Sequence, residues 1–250
     1  MTVRFVGAGP GAPDLITVRG LRVIATSPVC LYAGSLVPPE LLRQCPPDAR
    51  LVDTARMTLD DITAELVAAD AAGHDVARLC SGDPAVFSAV AEQTRRLDDA
   101  GVAWEIVPGV PAFSAAAAAL RTELTVPGVG QSVVLTRDAA NATPMPPGED
   151  LDTWAAAGGT LVLHLAVQRC VEVVDALARH RPASEPVAVV ARASQPDELI
   201  VRGTLADIAE RVERAGIRRT AVIVVGAVVG RGADPDAVES HLYSASRARP

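Results

Sequence analysis

The stretch Ser81-Gly-Asp-Pro-Ala-Val-Phe-Ser88 decides how the rest of the chain is interpreted. It follows the apolar run Val76–Cys80, which predicts a short buried strand. Gly82 permits a sharp turn or a close backbone approach to a ligand, and Asp83 places a carboxylate at the end of the strand. Because open α/β sheets bind their ligands at the carboxyl ends of the strands, this stretch predicts a ligand-binding loop. The alternative interpretation is an ordinary strand-to-helix turn, with Asp83 as the N-cap and Pro84 in the first helical turn.

Strand and helix patterns alternate on both sides of this loop. Apolar runs predict further strands at residues 2–6, 29–32 and 102–107. Helices are predicted over residues 13–25, 59–72, 85–100 and 112–121. This alternation is typical of an α/β fold with a mostly parallel sheet and helices on both of its faces.

The segment 122–130 (TELTVPGVG) is the predicted linker, and the alternating pattern restarts after it. In the second half, strands are predicted at 131–136, 160–165, 187–191, 199–202 and 221–225, and helices at 151–157, 167–180 and 205–215. We therefore expect two α/β lobes of similar architecture, residues 1–121 and 131–250, with an active-site cleft between them.

Composition excludes several classes of function. Of the 250 residues, 49% are hydrophobic and 21% are charged, as in a globular protein, and the net charge of −7 weighs against a nucleic-acid partner. All 23 basic residues are arginine, so neither a lysine Schiff base nor a P-loop lysine is possible. The four cysteines form no C-x-x-C pair, which predicts neither a zinc site nor a disulfide framework.

Two features of the sequence bear on localisation. The longest uncharged stretches, residues 23–39 and 106–120, are too short and too interrupted by proline to span a membrane. The first residues, MTVRFVGAGPG, begin directly on a predicted strand, with no pattern typical of a signal peptide. We therefore expect a cytoplasmic protein without a membrane partner.

The loop Gly7-Ala-Gly-Pro-Gly-Ala12 matches a permissive form of the dinucleotide-binding fingerprint. Pro10 and Pro13 remove N–H donors that a pyrophosphate cradle would use. The second predicted strand also ends at Tyr32 without the acidic residue that would bind a ribose hydroxyl. A nicotinamide-dependent oxidoreductase is therefore disfavoured, and a glycine turn without a ligand is a further alternative.

Taken together, the motifs resemble those of the tetrapyrrole methylases, S-adenosylmethionine-dependent enzymes that methylate porphyrin and corrin precursors. The similar segments follow the order of the family over nearly the whole chain: Val6–Thr17, Ser81–Pro84, Val107–Ala112 and Leu124–Pro127. Within the family, the chain is most similar to the branch that methylates precorrin-4 or cobalt-precorrin-4 at C11 in cobalamin biosynthesis, on the segments Tyr32–Val37, Ala142–Pro146, Ala193–Glu198 and Arg202–Leu205.

The resemblance implies S-adenosylmethionine as the methyl donor, no metal bound by the protein, and a homodimer. It implies that the donor is bound by loop residues of both lobes: Pro10, Ser81, Gly82, Asp83, Val86, Pro111, Ala112, Leu165 and Ala193. The tetrapyrrole substrate carries many carboxylates, for which arginine side chains are the expected partners. The candidate substrate-binding residues are Ser35, Arg121 and Arg137.

No residue of this chain is predicted to act as a general acid or a general base. The methylated carbon becomes quaternary, so no proton needs to leave it. Relatives that act earlier, on uroporphyrinogen, have an acidic residue after the tyrosine that corresponds to Tyr32, whereas this chain has Ala33. His164 follows an apolar run, which favours a packed core histidine over a catalytic one.

Two alternatives stay open at this point. The first is a methyltransferase of the same fold that acts on another corrin or porphyrin precursor. The second is a non-catalytic relative that binds a tetrapyrrole or a nucleotide. Diphthine synthase shares the fold, but the segment Tyr32-Ala-Gly-Ser35 argues against it.

Overall fold

The computed structural model describes residues 1–138, 143–230 and 240–241. Its contacts divide the chain into two compact units. Unit 1 comprises Met1–Ala115 and the short segment Ser194–Pro196, and unit 2 comprises Ala116–Ala193 and Asp197–Pro250. The linker at 122–130 stays a prediction. No helix in the described part of the chain is long and apolar enough to cross a membrane.

Unit 1 is built on a parallel five-stranded sheet. Its strands are β1 (Thr2–Gly7), β2 (Val29–Tyr32), β3 (Arg50–Asp53), β4 (Val76–Cys80) and β5 (Ala103–Val107). They lie in the order β3-β2-β4-β1-β5, and every neighbouring pair is parallel. This confirms the parallel sheet predicted from the alternating pattern, although β3 was not predicted.

Helices pack on both faces of this sheet. They are α1 (Val18–Thr26), α2 (Pro39–Leu42), α3 (Leu59–Ala71) and α4 (Val90–Asp99). The next helix, α5 (Ala112–Leu120), begins in unit 1 and ends in unit 2. One apolar core includes Phe5, Leu31, Leu66 and Leu97, and a second includes Val6, Ile24, Leu79 and Val107. The start of α3 is a capping box in which Thr58 and Asp61 each accept a hydrogen bond from the other's backbone N–H.

The helix predicted over residues 85–100 begins only at Val90, so that part of the prediction is wrong. Asp83 is not a helix N-cap, because no helix begins at Pro84. Its Oδ1 atom instead closes a local turn by accepting the N–H of Ala85 at 2.7 Å. Phe87 and Ala89 both have a φ of 50°, a left-handed conformation that no α-helix can contain. The stretch after β4 is therefore an irregular loop of the kind that binds ligands.

The helix predicted over residues 13–25 is also interrupted. A 3-10 helix covers Pro13–Leu15, and α1 begins after Thr17, whose side chain accepts the N–H of Gly20 at 3.0 Å. Ile16 and Thr17 are extended, which separates the two helices.

Unit 2 has a mixed sheet rather than a second parallel one. Its strands are β6 (Val133–Arg137), β7 (Thr160–His164), β8 (Pro186–Ala191), β9 (Leu199–Thr204) and β10 (Ala221–Val225). They lie in the order β6-β7-β10-β8-β9, and only β6 and β7 are parallel neighbours. The expectation that the first architecture restarts is therefore wrong. Residues 192–198, between β8 and β9, are too few for the crossover that a parallel pair requires.

The helices of unit 2 are α6 (Leu151–Ala157), α7 (Cys170–Ala178), α8 (Ile208–Arg214) and α9 (Ala227–Gly230). Both α7 and α8 begin three residues later than predicted, α7 after a 3-10 helix at Val167–Arg169. Their apolar faces cover a core that includes Leu161, Leu163, Leu177, Val189 and Ile208.

Candidate ligand-binding site

Three loops leave the carboxyl ends of adjacent strands in the middle of the unit 1 sheet. They are the glycine loop Gly7–Ala12 after β1, the Ser81–Asp83 loop after β4 and the Pro108–Pro111 loop after β5. Since β1 lies between β4 and β5, the three loops emerge side by side. This is the edge at which open α/β sheets bind ligands.

The glycine loop and the Ser81–Asp83 loop are joined by a reciprocal pair of backbone hydrogen bonds. Gly82 donates to the carbonyl of Gly9 at 2.8 Å, and Gly9 donates to the carbonyl of Gly82 at 3.2 Å. Both residues have left-handed φ values, 79° for Gly9 and 68° for Gly82, which glycine adopts without steric cost. Glycine at both positions therefore permits the pairing of the two loops.

The carboxylate of Asp83 joins the second loop to the third. Its Oδ2 atom accepts the N–H of Gly109 at 2.8 Å, while Oδ1 accepts the N–H of Ala85 at 2.7 Å. Hydrogen bonds to an ionised carboxylate are stronger than neutral ones. One side chain thus holds two loops in a fixed relation.

Gly7 and Gly109 bring the first and third loops into contact. A Cβ on Gly7 would lie 2.5 Å from the Cα of Gly109 and 2.7 Å from the carbonyl oxygen of Gly82. A Cβ on Gly109 would lie 2.7 Å from the Cα of Gly7. Because the opposing atoms belong to backbone, they cannot rotate away. We call Gly7, Gly9, Gly82 and Gly109 the glycine cluster.

The hydrogen bonds of the glycine loop weigh against a pyrophosphate cradle. The N–H of Ala8 binds the carbonyl of Cys80 at 2.8 Å, and the N–H of Gly9 binds the carbonyl of Gly82. Pro10 has no N–H to offer. The loop therefore resembles the dinucleotide fingerprint in spacing without keeping its donors available for phosphate.

Seven of the predicted cofactor-binding residues lie in these loops of unit 1 or within three residues of them. The position of a Gly82 Cβ would be 3.6 Å from both the Cα of Pro111 and the N of Ala112. The N–H of Val86 donates to the carbonyl of Asp83 at 3.2 Å. The side chain of Ser81 is exposed, whereas Pro10 is buried.

Leu165 and Ala193, the other two predicted cofactor-binding residues, lie in unit 2. Leu165 follows β7 and Ala193 lies two residues after β8, and these strands point the same way because both are antiparallel to β10. Leu165 has a φ of 55° and is 63% exposed. An exposed apolar residue in a strained conformation is typical of a ligand site. The backbone beside the buried Ala193 is strained as well, with φ values of 49° at Arg192 and 68° at Ser194.

The three predicted substrate-binding residues differ in the contacts that the structure describes for their side chains. Arg137, at the end of β6, donates to the carbonyls of Thr143 at 2.7 Å and Asp138 at 3.4 Å. Arg121 follows α5 with a φ of 55°, and its exposed guanidinium makes no hydrogen bond or ion pair with the described residues. Ser35 lies in the 3-10 helix Gly34–Leu36, and its side chain is outside the described part of the structure, as is Ala142.

The sequence analysis missed the residues that support the segment after β2. Asp53, at the end of β3, accepts the N–H groups of Gly34 at 3.0 Å and of Ala55 at 2.9 Å on the same oxygen, Oδ1. Thr54 donates to the carbonyl of Tyr32 through both its N–H and its hydroxyl. The signal was the short run Arg50-Leu-Val-Asp53, which contains too few apolar residues to predict a strand alone.

Burial shifts the pKa values of several titratable groups outside these loops. Burial raises the pKa of the Cys80 and Cys170 thiols to about 11, and it lowers the pKa of the His164 imidazole. Cys30 and Cys80 are buried in the apolar cores of unit 1. Among the described residues, no group of three or more His, Cys, Asp or Glu side chains could hold a metal ion.

Known proteins are similar to this chain over most of its length. The family model for tetrapyrrole (corrin/porphyrin) methylases matches residues 2–209. The precorrin-4 C(11)-methyltransferase of Rhodococcus erythropolis is 60% identical over 249 residues, which covers 100% of this chain and 99% of that protein.

Two solved structures of enzymes are also similar. A cobalt precorrin-4 methyltransferase, described as a cobalamin biosynthetic enzyme, matches with a TM-score of 0.88 and 39% identity, covering 91% of this chain and 95% of that one. The uroporphyrin-III C-methyltransferase of Thermus thermophilus, complexed with S-adenyl homocysteine, matches with a TM-score of 0.78 and 31% identity over 92% of this chain and 99% of that one. By its family match and by its identity over its full length, the chain belongs to the tetrapyrrole methylases.

Proposed function

We propose that this protein is an S-adenosylmethionine-dependent methyltransferase that methylates C11 of precorrin-4, or of its cobalt form, in cobalamin biosynthesis. The observation that carries the proposal is the glycine cluster, whose loops are joined by the hydrogen bond from the N–H of Gly109 to Asp83. It occurs in a chain that is 60% identical over its whole length to a precorrin-4 C(11)-methyltransferase. A relative that had lost the reaction would have little reason to keep three loops joined at the ligand edge of the sheet.

The loop residues fit the methyl donor. Ser81 has an exposed hydroxyl, which we expect to bind the amino-acid part of the donor. When bound, S-adenosylmethionine supplies a methyl group on a sulfonium, which passes to the ring carbon by in-line displacement and leaves a neutral thioether. The chain's residues contribute by binding the reactants in a fixed orientation and by excluding water. Orientation alone can lower such a barrier by about 7–11 kcal/mol at best.

Calorimetric titration with S-adenosylhomocysteine, with NAD in a parallel cell, tests the cofactor. We expect micromolar binding of S-adenosylhomocysteine and no binding of NAD. Incubation with S-adenosylmethionine and precorrin-4, cobalt-precorrin-4 or uroporphyrinogen III, followed by mass analysis, then tests the substrate. One added methyl on a precorrin-4 species, placed at C11 by NMR, is the expected result. Methylation of uroporphyrinogen III alone would instead identify another reaction of the family.

The two candidate arginines should affect the substrate and not the cofactor. Because hydrogen bonds to charged groups contribute about 1.5–3 kcal/mol, Arg121→Ala should raise the KM for the tetrapyrrole about tenfold or more. Its affinity for S-adenosylhomocysteine should stay near that of the wild type. Arg137→Ala should also lower the melting temperature, since the Arg137 guanidinium supports two backbone carbonyls.

Arg95→Ala is the matched control, because Arg95 is an exposed arginine on the surface of α4. This variant should have wild-type kinetics and stability. Equal losses of cofactor and substrate binding in the Arg121 and Arg137 variants would mean that both arginines are structural.

We further propose that the enzyme works as a cytoplasmic homodimer whose partner is the small tetrapyrrole rather than a nucleic acid or a membrane. The net charge of −7 supports the exclusion of nucleic acid. Sedimentation equilibrium should give twice the mass of one chain, and a single-chain mass would contradict the dimer.

A further inference from the structure

The segment Ser194–Pro196 belongs by its contacts to unit 1. The Oγ atom of Ser194 accepts the N–H of Ala12, the last residue of the glycine loop, at 3.0 Å. The residues that flank the segment are bonded to each other, because the Nε atom of Arg192 lies 2.6 Å from Oδ2 of Asp197. The segment is therefore held in a defined position against the glycine loop.

Gln195 lies directly against Gly11. A Cβ on Gly11 would overlap the Gln195 side chain and come within 2.8 Å of its Nε2 atom. Gly11 also has a φ of 153°, a conformation that other residues rarely adopt. The absence of a side chain at Gly11 is thus what lets the carboxamide of Gln195 lie on the loop.

The carboxamide of Gln195 is half-buried, yet it makes no hydrogen bond within the described ranges 1–138, 143–230 and 240–241. A carboxamide has two N–H donors and one acceptor oxygen, and a half-buried one gains by bonding a ligand.

The glycine loop itself has few donors left for an anion. The N–H groups of Ala8, Gly9 and Ala12 are bonded to Cys80, Gly82 and Ser194. Pro10 has none. The carboxylate of Asp83 binds the N–H groups of Ala85 and Gly109 and not the Gln195 carboxamide. A carboxylate bound at this loop would therefore meet the N–H of Gly11 and the Gln195 carboxamide as its donors.

We infer that Gln195 is a substrate-binding residue whose carboxamide donates a hydrogen bond to a carboxylate of the tetrapyrrole, and that Gly11 and Ser194 position it. The inference rests on the proposed function for the identity of the substrate. The carboxylate of the methyl donor has the same chemistry, so the test must separate the two sources.

Kinetics of two variants test the inference, with precorrin-4 or its cobalt form as the varied substrate, whichever the wild type converts. Gln195→Ala should raise the KM about tenfold, while the calorimetric affinity for S-adenosylhomocysteine and the melting temperature stay at wild-type values. Gln195→Glu keeps the packing on Gly11 but replaces the donor by a negative oxygen. It should raise the KM further, and added salt should reduce the increase because it screens the repulsion.

Gln44→Ala is the control, because Gln44 is an exposed glutamine that follows α2, and its side chain bonds only weakly, to the carbonyl of Glu40 at 3.5 Å. Wild-type KM values in both Gln195 variants, with an active wild type, would overturn the inference and leave the proposed function standing. A parallel loss of S-adenosylhomocysteine affinity would overturn it in favour of a cofactor contact.

If the wild type methylates no precorrin-4 species, the proposed function fails separately. Titration of the wild type and of Gln195→Ala with uroporphyrin III, monitored by absorbance, then still tests whether Gln195 contacts the tetrapyrrole. Weaker binding by the variant supports the inference, and equal binding overturns it.

Discussion

Replacement of Gly109 by alanine is expected to destabilise the protein by about 3 kcal/mol or more and to abolish binding of S-adenosylhomocysteine. The new Cβ would lie 2.7 Å from the Cα of Gly7 and would overlap the carbonyl oxygen of Gly82. Relief of this overlap requires the third loop to move, which breaks the hydrogen bond from Gly109 to Asp83. For a chain of this length, the melting temperature should fall by about 6–12 °C.

Gly101→Ala provides the control for this prediction. Gly101 follows α4 with a φ of 70°, and a Cβ there would meet no atom within 4 Å. Replacement of Gly101 by alanine should lower the free energy of unfolding by only about 1 kcal/mol, because alanine is strained in the left-handed conformation. Cofactor binding should be unchanged. A Gly109→Ala protein that has the melting temperature of the wild type and binds S-adenosylhomocysteine with wild-type affinity would show that the loops are not held as the structure indicates.

Asp83→Asn is expected to weaken the affinity for S-adenosylhomocysteine at least about tenfold, roughly 1.4 kcal/mol, nearly as much as Asp83→Ala. The two carboxylate oxygens accept one backbone N–H each, from Ala85 and Gly109. An asparagine has only one oxygen, so its NH2 group would face the other N–H donor. The Ser81–Asp83 and Pro108–Pro111 loops would then separate. Calorimetry measures the affinity, and an unchanged dissociation constant would disprove the role of Asp83.

Asp53→Asn is the matched control for the Asp83 prediction. Asp53 also accepts two backbone N–H groups, from Gly34 and Ala55, but both bind the same oxygen, Oδ1. The oxygen of an asparagine can keep both bonds. We therefore expect Asp53→Asn to melt near the wild-type temperature and to bind S-adenosylhomocysteine normally.

The motifs predicted the family and the place of the ligand loops because they are local. A glycine with a left-handed φ, an acidic residue after a buried strand and a proline that removes a donor each restrict the backbone at their own position. This is why the loop after β4 could be placed at the ligand-binding edge of the sheet from the sequence, whereas the part played by the loops after β1 and β5 was implied by the family resemblance. The roles of the individual cofactor-binding and substrate-binding residues stay predictions.

The errors fall where distant parts of the chain decide the local structure. Nothing in the helical pattern of residues 85–89 shows that Asp83 bonds to Gly109, or that Phe87 and Ala89 have left-handed φ values, which no α-helix can contain. The prediction of strand direction in unit 2 was wrong for a similar reason. An apolar run predicts a strand, but its neighbours determine its direction, and β10 lies antiparallel between β7 and β8.

By itself, the sequence determined the α/β class, the parallel sheet of unit 1 and membership of the tetrapyrrole methylases, because these depend on periodicity and on glycine and proline at fixed positions. Only the tertiary structure decided that Gly7, Gly82 and Gly109 touch, that Asp83 clamps two loops and that Gln195 lies on Gly11. These contacts join residues 26 to 184 positions apart (83 to 109, and 11 to 195). No local pattern encodes them, since they form only when the packed strands bring the loops together.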